Sequence, residues 1–284
     1  MGIPTSSKIF KTHSEQLEIL KERGLIIEDE QKALKYLRTI NYYRLTGYML
    51  QLKHNDRFIN NSTFEQAIKI YEFDTELRRL FLEATEYIEI TLRSQLAYSF
   101  SNLYGGLGYK KSENFHDESK HTSFLNIVEK KINDSRETFV KHHKMNYDTQ
   151  LPLWVAVEIF SMDILSKFYA NMHIKDKKIL ADFYGVNYSH LTNWLHSITT
   201  VRNISAHYSR LYNRKFTVKV RLFKEISLPS NKLVSVVYIL KRLLPNEEWM
   251  RFFNSLQTLF EQYSDVIQIH HLGFIDGWDK HIKL

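Results

Sequence analysis

The sequence predicts an all-α protein, a helical bundle, and three observations lead to this class. Glycine and proline are scarce, with 9 Gly and 4 Pro in 284 residues, whereas average usage would give about 20 and 14. A β-sandwich or barrel needs a turn signal about every 8–12 residues, and a nucleotide-binding α/β fold usually opens with a glycine-rich loop. The chain supplies neither. Apolar residues instead recur at helical spacing along most of the sequence.

The composition adds three exclusions. Cysteine is absent, which removes disulfides, thiolate metal sites and a cysteine nucleophile. No apolar run approaches the roughly 18 residues of a membrane span, so we expect no membrane association and a cytoplasmic protein. The apolar fraction of 43% and the charged fraction of 25% are those of an ordinary globular chain.

The N-terminal residues predict a helical extension. Ser14 can cap a short helix that ends at Gly24, and a second helical pattern covers residues 28–38. The cluster Tyr-Tyr-Arg at 42–44 follows, and we interpret it as core packing, with base stacking as the alternative.

A long helix is predicted next. Thr63 and Gln66 form a capping box that opens a helical run lasting to about Leu103. Within the run, Glu89 stands four residues before Arg93, the favourable order for an ion pair on a helix. We expect Glu89 to be structural, with orientation of an active-site Arg or His as the alternative. One apolar stripe follows the i, i+3, i+4, i+7 spacing of a buried face: Leu77, Leu80, Phe81, Ala84, Ile88, Thr91, Leu92 and Gln95.

The middle of the chain alternates loops and helices. Residues 104–122 predict a loop and 123–146 a polar helix. Pro152 stands at the start of a helix over 153–171, and a short helical segment covers 175–183.

The last third contains the single predicted strand. Ser189 can cap a helix that runs to about Asn213, residues 215–223 alternate as a strand does, and helices resume after Pro229 and Pro245. By these patterns the chain divides into an N-terminal helical extension (1–60), a helical core (61–245) and a C-terminal helical tail packed on the core (246–284).

The positive charge is concentrated in one window. The net charge is +7, but between Arg202 and Arg242 there are ten basic residues and one acid, Glu225. This window therefore carries +9 and the remainder of the chain sums to −2. A concentration of this kind is typical of a polyanion-binding face, and a solvated basic surface is the alternative.

The predicted helix over 189–213 carries a polar stripe with the chemistry of an active site. Asn203, His207, Arg210 and Arg214 follow the spacing i, i+4, i+7, i+11, and the stripe contains no acid. Histidine can act as general acid or base near neutrality. Arginine binds phosphate bidentately and stabilises charge on the phosphoryl group. Together they suffice for RNA cleavage without a metal.

Arg202 precedes His207 by five residues, which gives the pattern R-x4-H. Five residues correspond to about 500° on a helix, so the two side chains diverge by about 140°. Two such helices that meet across a dimer would bring an arginine and a histidine together. A related pair, Arg136 and His142, lies between acidic residues and lacks an Asn after the Arg. We interpret it as a chance match.

The stretch RNISAH (202–207) resembles the R-N-x-x-x-H motif of HEPN-domain ribonucleases, and its flanks resemble the Abi-like family of bacterial abortive-infection proteins, AbiD and AbiF type. The similarity covers about residues 36–214 in order, with a weaker match at HLGFIDGW (271–278). The matching stretches are YLRTINYYRLTGYML (36–50), YEFDTELRRLFLEATEYIEITLRSQLAYSF (71–100), PLWVAVEIFSMDILSKFYANM (152–172) and WLHSITTVRNISAHYSRLYNR (194–214).

The resemblance implies a HEPN helical core that dimerises and cuts RNA without metal, leaving cyclic phosphate ends. It also implies a small noncoding RNA as partner. By position, Arg202 and His207 would be the catalytic pair and Asn203 the polar residue that supports them. Where many relatives read R-N-x-C-A-H-H, this chain has Ser205 and Tyr208, so the second histidine of the motif is missing.

The remaining polar and aromatic residues complete the expectations. Contact with the RNA backbone is predicted for Arg210, Arg214, Lys215 and Lys219, with plain surface charge as the alternative. The pairs at 142–143 and 270–271 are adjacent histidines without a further ligand at metal spacing, so no metal and no cofactor are predicted. Three tryptophans are expected in the core: Trp154, Trp194 and Trp278.

Three classes of function fit these observations. The first is a dimeric HEPN ribonuclease that acts as the toxin of an anti-phage system. The second is a non-catalytic RNA-binding protein that uses the same basic face. The third is a protein–protein interaction module, which predicts no affinity for RNA.

Overall fold

The computed structural model describes residues 9–147 and 150–279, and helices dominate both ranges. The predicted all-α class is confirmed. The described residues also contain one antiparallel hairpin, β1 (Lys53–His54) and β2 (Arg57–Phe58). Within the same ranges, every helix is too short or too polar to act as a membrane span. The α-helices described are α1 (His13–Glu22), α2 (Glu30–Thr39), α3 (Tyr42–Thr46), α4 (Phe64–Tyr104), α5 (Glu118–Asp134), α6 (Thr138–Asn146), α7 (Leu153–Ala156), α8 (Met162–Asn171), α9 (Ile174–Phe183), α10 (Tyr188–Ala206), α11 (Leu233–Leu243) and α12 (Asn246–Gln262).

The chain forms two compact units. One combines the described residues up to Leu77 with Thr258–Gln268, and the other combines Arg78–Gln257 with the described residues from Ile269 onward. The sequence-based boundaries at residues 60 and 245 stay predictions.

The first unit is built on α1, α2 and the start of α4. The cap of α1 is Thr12 and not Ser14, because Thr12 and Glu15 form a reciprocal capping box. In the cluster at 42–44, Tyr43 is 80% exposed, so the core interpretation is wrong for this residue. The core of the unit consists of buried aliphatic and aromatic side chains: Leu17, Leu20, Leu25, Ala33, Leu37, Ile40, Leu45, Met49, Phe58, Phe64, Ala67 and Ile68.

Helix α4 begins as the sequence predicts. Gln66 N–H donates to Thr63 Oγ1 at 3.1 Å and Thr63 N–H donates to Gln66 Oε1 at 3.0 Å, so the capping box is confirmed. The helix continues for 41 residues. Along the predicted stripe the apolar side chains Leu77, Phe81, Ala84, Ile88 and Leu92 are buried.

Residues 104–171 form more and shorter helices than predicted. The loop is partly helical, with 3₁₀ turns at 108–110 and 112–114, and α5 begins at Glu118 behind the cap Asp117. The predicted helix over 123–146 is two helices, because the chain becomes extended at Ser135. The predicted helix over 153–171 is likewise interrupted, because Phe160 is extended between a 3₁₀ turn and α8.

The predicted strand at 215–223 is wrong. Residues 214–232 have no regular secondary structure, although Phe216 N–H donates to Asn231 O at 2.9 Å and Val220 N–H donates to Ser230 O at 2.7 Å. A strand is stable only beside a partner strand. Here side chains of α10 take the backbone groups that strand pairing would have used.

Two of the three predicted core tryptophans are confirmed. Trp194 is fully buried and Trp278 is 7% exposed. Trp154 is 56% exposed, so its prediction is wrong. Its ring covers the backbone of Gly106 so closely that a Cβ there would lie 2.8 Å from the ring.

Candidate functional site

The candidate site lies at the C-terminal end of α10. This helix packs against α8, α9 and α11, and its inner face is apolar and buried, with Leu195, Ile198 and Val201 among its residues. Because the apolar face of α10 is buried, Arg202 and Asn203 lie half-buried at its edge and His207 is exposed to solvent.

Glu89 of α4 holds Arg202. Glu89 is 7% exposed, and the two oxygens of its carboxylate contact two arginines. Arg93 Nη2 donates to Oε1 at 2.6 Å, and Arg202 Nε forms an ion pair with Oε2 at 3.3 Å. Arg93 also donates to Phe160 O at 2.8 Å. The expected structural pair of Glu89 with Arg93 is confirmed, and the contact with Arg202 that the alternative requires is present as well.

His207 is the C-cap of α10 and not a residue in its middle. Its N–H donates to Asn203 O at 3.0 Å, which keeps the histidine one turn above Asn203. The next residue, Tyr208, adopts φ +58, which turns the chain out of the helix. Tyr208 N–H donates to Ser205 O at 3.2 Å and Ser209 N–H donates to Ile204 O at 2.9 Å. These two bonds form a Schellman motif.

The predicted stripe is wrong beyond His207. Because α10 ends at Ala206 and not at Asn213, Arg210 and Arg214 do not continue its surface. Both are half-buried, and Arg214 Nη1 donates to Arg210 O at 3.2 Å. Lys215 and Lys219 are exposed in the irregular segment that follows.

This irregular segment is tied to α10 by side chains that sequence reasoning missed. Asn193 Nδ2 donates to Lys219 O at 3.0 Å and Asn193 Oδ1 accepts from Arg221 N–H at 2.6 Å. Trp194 Nε1 donates to Arg221 O at 2.8 Å. Arg221 is exposed and belongs with the basic residues of the segment. The sequence does not predict these contacts, because nothing distinguishes Asn193 from any other asparagine on a helix face until the fold is known.

His190 packs against Phe223 of this segment, and its surroundings disfavour the protonated imidazole. His190 stacks on Phe223, with ring centroids 4.5 Å apart. Burial, assisted by the charge of Arg221, lowers the pKa of His190. This histidine therefore favours its neutral form.

The other histidines considered in the sequence, among them His142 and His271, are explained by their local structure. Arg136 lies in the break between α5 and α6, so the chance match with His142 is not presented by one helix. His271 Nδ1 lies 3.1 Å from the hydroxyl of Tyr212, and burial lowers its pKa. Within residues 9–147 and 150–279, no group of three or more His, Asp or Glu side chains is arranged to hold a metal ion.

Comparison with known proteins identifies the family. The model of the family described as Abi-like protein matches residues 35–213, which include α4, α8 and α10 with the candidate site. No curated protein and no solved structure matches the chain significantly. The match covers more than half of the 284 residues, and the chain therefore belongs to the Abi-like protein family.

Proposed function

We propose that this protein is a metal-independent HEPN endoribonuclease that acts as the toxin of a bacterial abortive-infection system. Membership of the Abi-like family suggests the abortive-infection function. The observation that carries the catalytic proposal is the pairing of Arg202 with the buried carboxylate of Glu89, five residues before the exposed His207 in the chain. Glu89 holds Arg202 in position to bind phosphate, and His207 is accessible to the substrate.

In this mechanism Arg202 binds the scissile phosphate. Glu89 contacts the guanidinium at Nε, which leaves the two terminal nitrogens to donate to phosphate oxygens. The carboxylate also limits the rotamers of the long side chain, so less entropy is lost when the phosphate binds. The backbone carbonyl of Asn203 accepts the His207 backbone N–H, which fixes the main chain at the histidine.

His207 moves the protons. The 2′-oxygen attacks phosphorus, the bond from phosphorus to the 5′-oxygen breaks, and the products are a 2′,3′-cyclic phosphate and a 5′-hydroxyl. A neutral imidazole takes the proton of the 2′-hydroxyl, and a protonated imidazole supplies one to the leaving 5′-oxygen. A homodimer has two such imidazoles, one from each copy.

The surface of α4 supports association with a second copy. Tyr87, Ile90 and Tyr98 are 38%, 55% and 73% exposed and lie at helical spacing on the helix that carries Glu89. Exposed apolar residues that line up in this way are typical of an interaction face. A homodimer formed through this face would put two copies of the Arg202 and His207 motif near each other.

The basic segment after α10 would bind the RNA backbone. Lys215 and Lys219 are exposed, as phosphate contact requires, and Arg221 extends the group. The half-buried Arg210 and Arg214 would contribute to the positive potential of this face. A small noncoding RNA bound here would regulate access to the site.

The test compares the wild-type protein with Arg202→Ala and His207→Ala on single-stranded RNA in EDTA. We expect wild type to produce cyclic phosphate ends and both variants to lose at least about 100-fold in rate. The matched control is Arg136→Ala with His142→Ala, which also removes an arginine and a histidine and should cut normally. Equal activity in all proteins, or strict dependence on metal, would contradict the mechanism. RNA binding without cyclic phosphate products would favour the non-catalytic alternative.

A further inference from the structure

Basic side chains surround the position where the C-terminal segment meets the start of α11. Lys232 Nζ donates to His271 O at 2.7 Å, and the ring centroids of His270 and His271 lie 4.6 Å apart. Gly273 allows the C-terminal segment to approach the lysine closely, since a Cβ at this glycine would lie 2.6 Å from the Lys232 Cβ. His270 is exposed and Lys232 is half-buried, so these side chains lie at the surface.

The segment after α10 adds another lysine. Phe216 N–H donates to Asn231 O at 2.9 Å, so Lys215 and Lys232 lie on two stretches of backbone that are bonded to each other. Burial, assisted by the charge of Lys215, lowers the pKa of Lys232. The side chains of Lys215, Lys232 and His270 are called the basic cluster below.

The positive charge of the basic cluster is not balanced by salt bridges. The Lys232 ammonium donates to a neutral carbonyl, and among the described residues neither Lys232 nor Lys215 forms a salt bridge. Lys232 is also the N-cap of α11, whose first turn contains no acid and whose cap makes no side-chain hydrogen bond. The helix dipole is positive at this end, so a lysine there adds repulsion. An anion bound at the cluster would supply the missing countercharge.

The donors of the basic cluster suit the oxygens of a phosphate group. An ammonium has more donors than the one that His271 O engages, and an imidazole N–H is a donor as well. Phosphate oxygens accept several charge-assisted hydrogen bonds at once, which fits donors that come from different segments of the chain. All members of the cluster lie outside residues 35–213, so the family match does not cover them.

We propose that the basic cluster is a second phosphate-binding site, made of residues other than the Arg202 motif. The phosphate belongs to the backbone of a bound RNA or to a free phosphate or nucleotide, since these present the same oxygens. The RNA source rests on the proposed ribonuclease function. In that case the cluster holds the RNA at a phosphate other than the scissile one, which Arg202 binds.

The test uses Lys232→Met and His270→Gln in the full-length protein. Methionine keeps the apolar stem of the lysine and removes its charge. His270 is exposed, so its replacement keeps the fold and decides the question if Lys232→Met does not fold. The matched controls are Lys130→Met and His116→Gln, which remove exposed side chains of the same types outside the cluster.

Two probes distinguish the sources of the phosphate. Sulfate presents similar oxygens, and its binding is followed by the melting temperature at constant ionic strength. A short single-stranded 2′-O-methyl RNA lacks the attacking hydroxyl, and its affinity is measured at several salt concentrations. We expect sulfate to raise the melting temperature of wild type and controls by about 2 °C more than that of Lys232→Met and His270→Gln. We expect both cluster variants to bind RNA about 3- to 10-fold more weakly, and Lys232→Met to reduce the salt slope by about one phosphate.

Equal responses to sulfate in all of these proteins would overturn the proposal, as would equal losses in the cluster variants and their controls. A reduced response to sulfate with unchanged affinity for RNA would assign the site to a free phosphate or nucleotide. A wild type that responds to sulfate but neither binds nor cuts RNA would contradict the ribonuclease function and leave the phosphate site in place.

Discussion

At the scale of single residues, Glu89 combines two functions in one carboxylate. It neutralises Arg93 in a part-buried environment, and it contacts Arg202 from a different helix. Two arginines against one carboxylate leave a net positive charge at the site, which favours a phosphate as the third partner. In the proposed mechanism Glu89 does not touch the substrate, so it would be a positioning residue.

Replacement of Glu89 tests whether this carboxylate positions Arg202. We expect Glu89→Gln to lower the free energy of unfolding by about 1–3 kcal/mol, because both arginines lose a charged partner. We expect kcat for RNA cleavage to fall by about 10- to 100-fold, because Arg202 is no longer fixed. The measurements are thermal unfolding and single-turnover cleavage.

Two variants separate positioning from stability. Arg93→Met breaks the other ion pair of the same carboxylate and should lose stability without the loss in kcat, because Arg202 keeps its partner. Glu86→Gln changes an exposed carboxylate on the same helix and should change neither quantity. Equal losses of kcat in Glu89→Gln and Arg93→Met would reduce Glu89 to a stabilising residue.

At the scale of elements, α10 positions the basic segment as well as the motif. The segment over 214–232 lacks regular structure, and the two bonds of Asn193 fix its backbone near Lys219 and Arg221. A disordered cation binds phosphate less well than an ordered one, because its freedom is lost on binding. We therefore expect Asn193 to support the proposed RNA binding without carrying charge.

Asn193→Ala is expected to weaken RNA binding by about 3- to 10-fold, since it releases the backbone of the segment. The loss of two hydrogen bonds should lower the free energy of unfolding by about 1–2 kcal/mol. Binding measured at several salt concentrations should give a shallower slope, because fewer phosphates are neutralised. Thr192→Ala is the neighbouring control, since this hydroxyl bonds to Tyr188 O on its own helix. An unchanged affinity in Asn193→Ala would mean that fixing the segment by Asn193 does not contribute to RNA binding.

The elements also show what sequence could and could not predict. Helix α4 was predictable because its capping box and apolar stripe are local signals. The end of α10 was not, because the residue that turns the chain is Tyr208, where the sequence rules expect Gly or Asn. The predicted strand at 215–223 does not form, because backbone groups of Lys219 and Arg221 bond to side chains of α10 and not to a partner strand. Arg202 and His207 stay predictions from their motif, and the contact of Arg202 with Glu89 joins residues more than one hundred positions apart and depends on packing.

At the scale of the whole molecule, the proposed dimer decides whether one copy is sufficient for catalysis. If two histidines share the proton transfers, a copy without its motif inactivates any dimer that it enters. Closed two-fold assemblies are the commonest oligomers, and each face in them meets its own counterpart. The apolar side chains on α4 would then bury each other.

A mixing experiment tests whether catalysis requires two intact copies in one dimer. Wild type and His207→Ala, carrying different tags, are co-expressed in equal amounts so that dimers form at random. We expect about one quarter of the wild-type activity per total protein, because only dimers with two intact copies cut RNA. A linear fall to about one half would show that each copy cuts independently. The ratio of homodimers to mixed dimers is checked by sequential purification on the two tags.

The ion pair between Glu89 and Arg202 also has a consequence for synthesis. The two residues lie on α4 and α10, so the pair forms only after the ribosome has released both helices and they have packed together. In a nascent or partly unfolded chain this ion pair is absent, so the proposed centre is not yet assembled. Under the proposed ribonuclease function, this delay would protect the messenger RNA from the protein that it encodes until folding is complete.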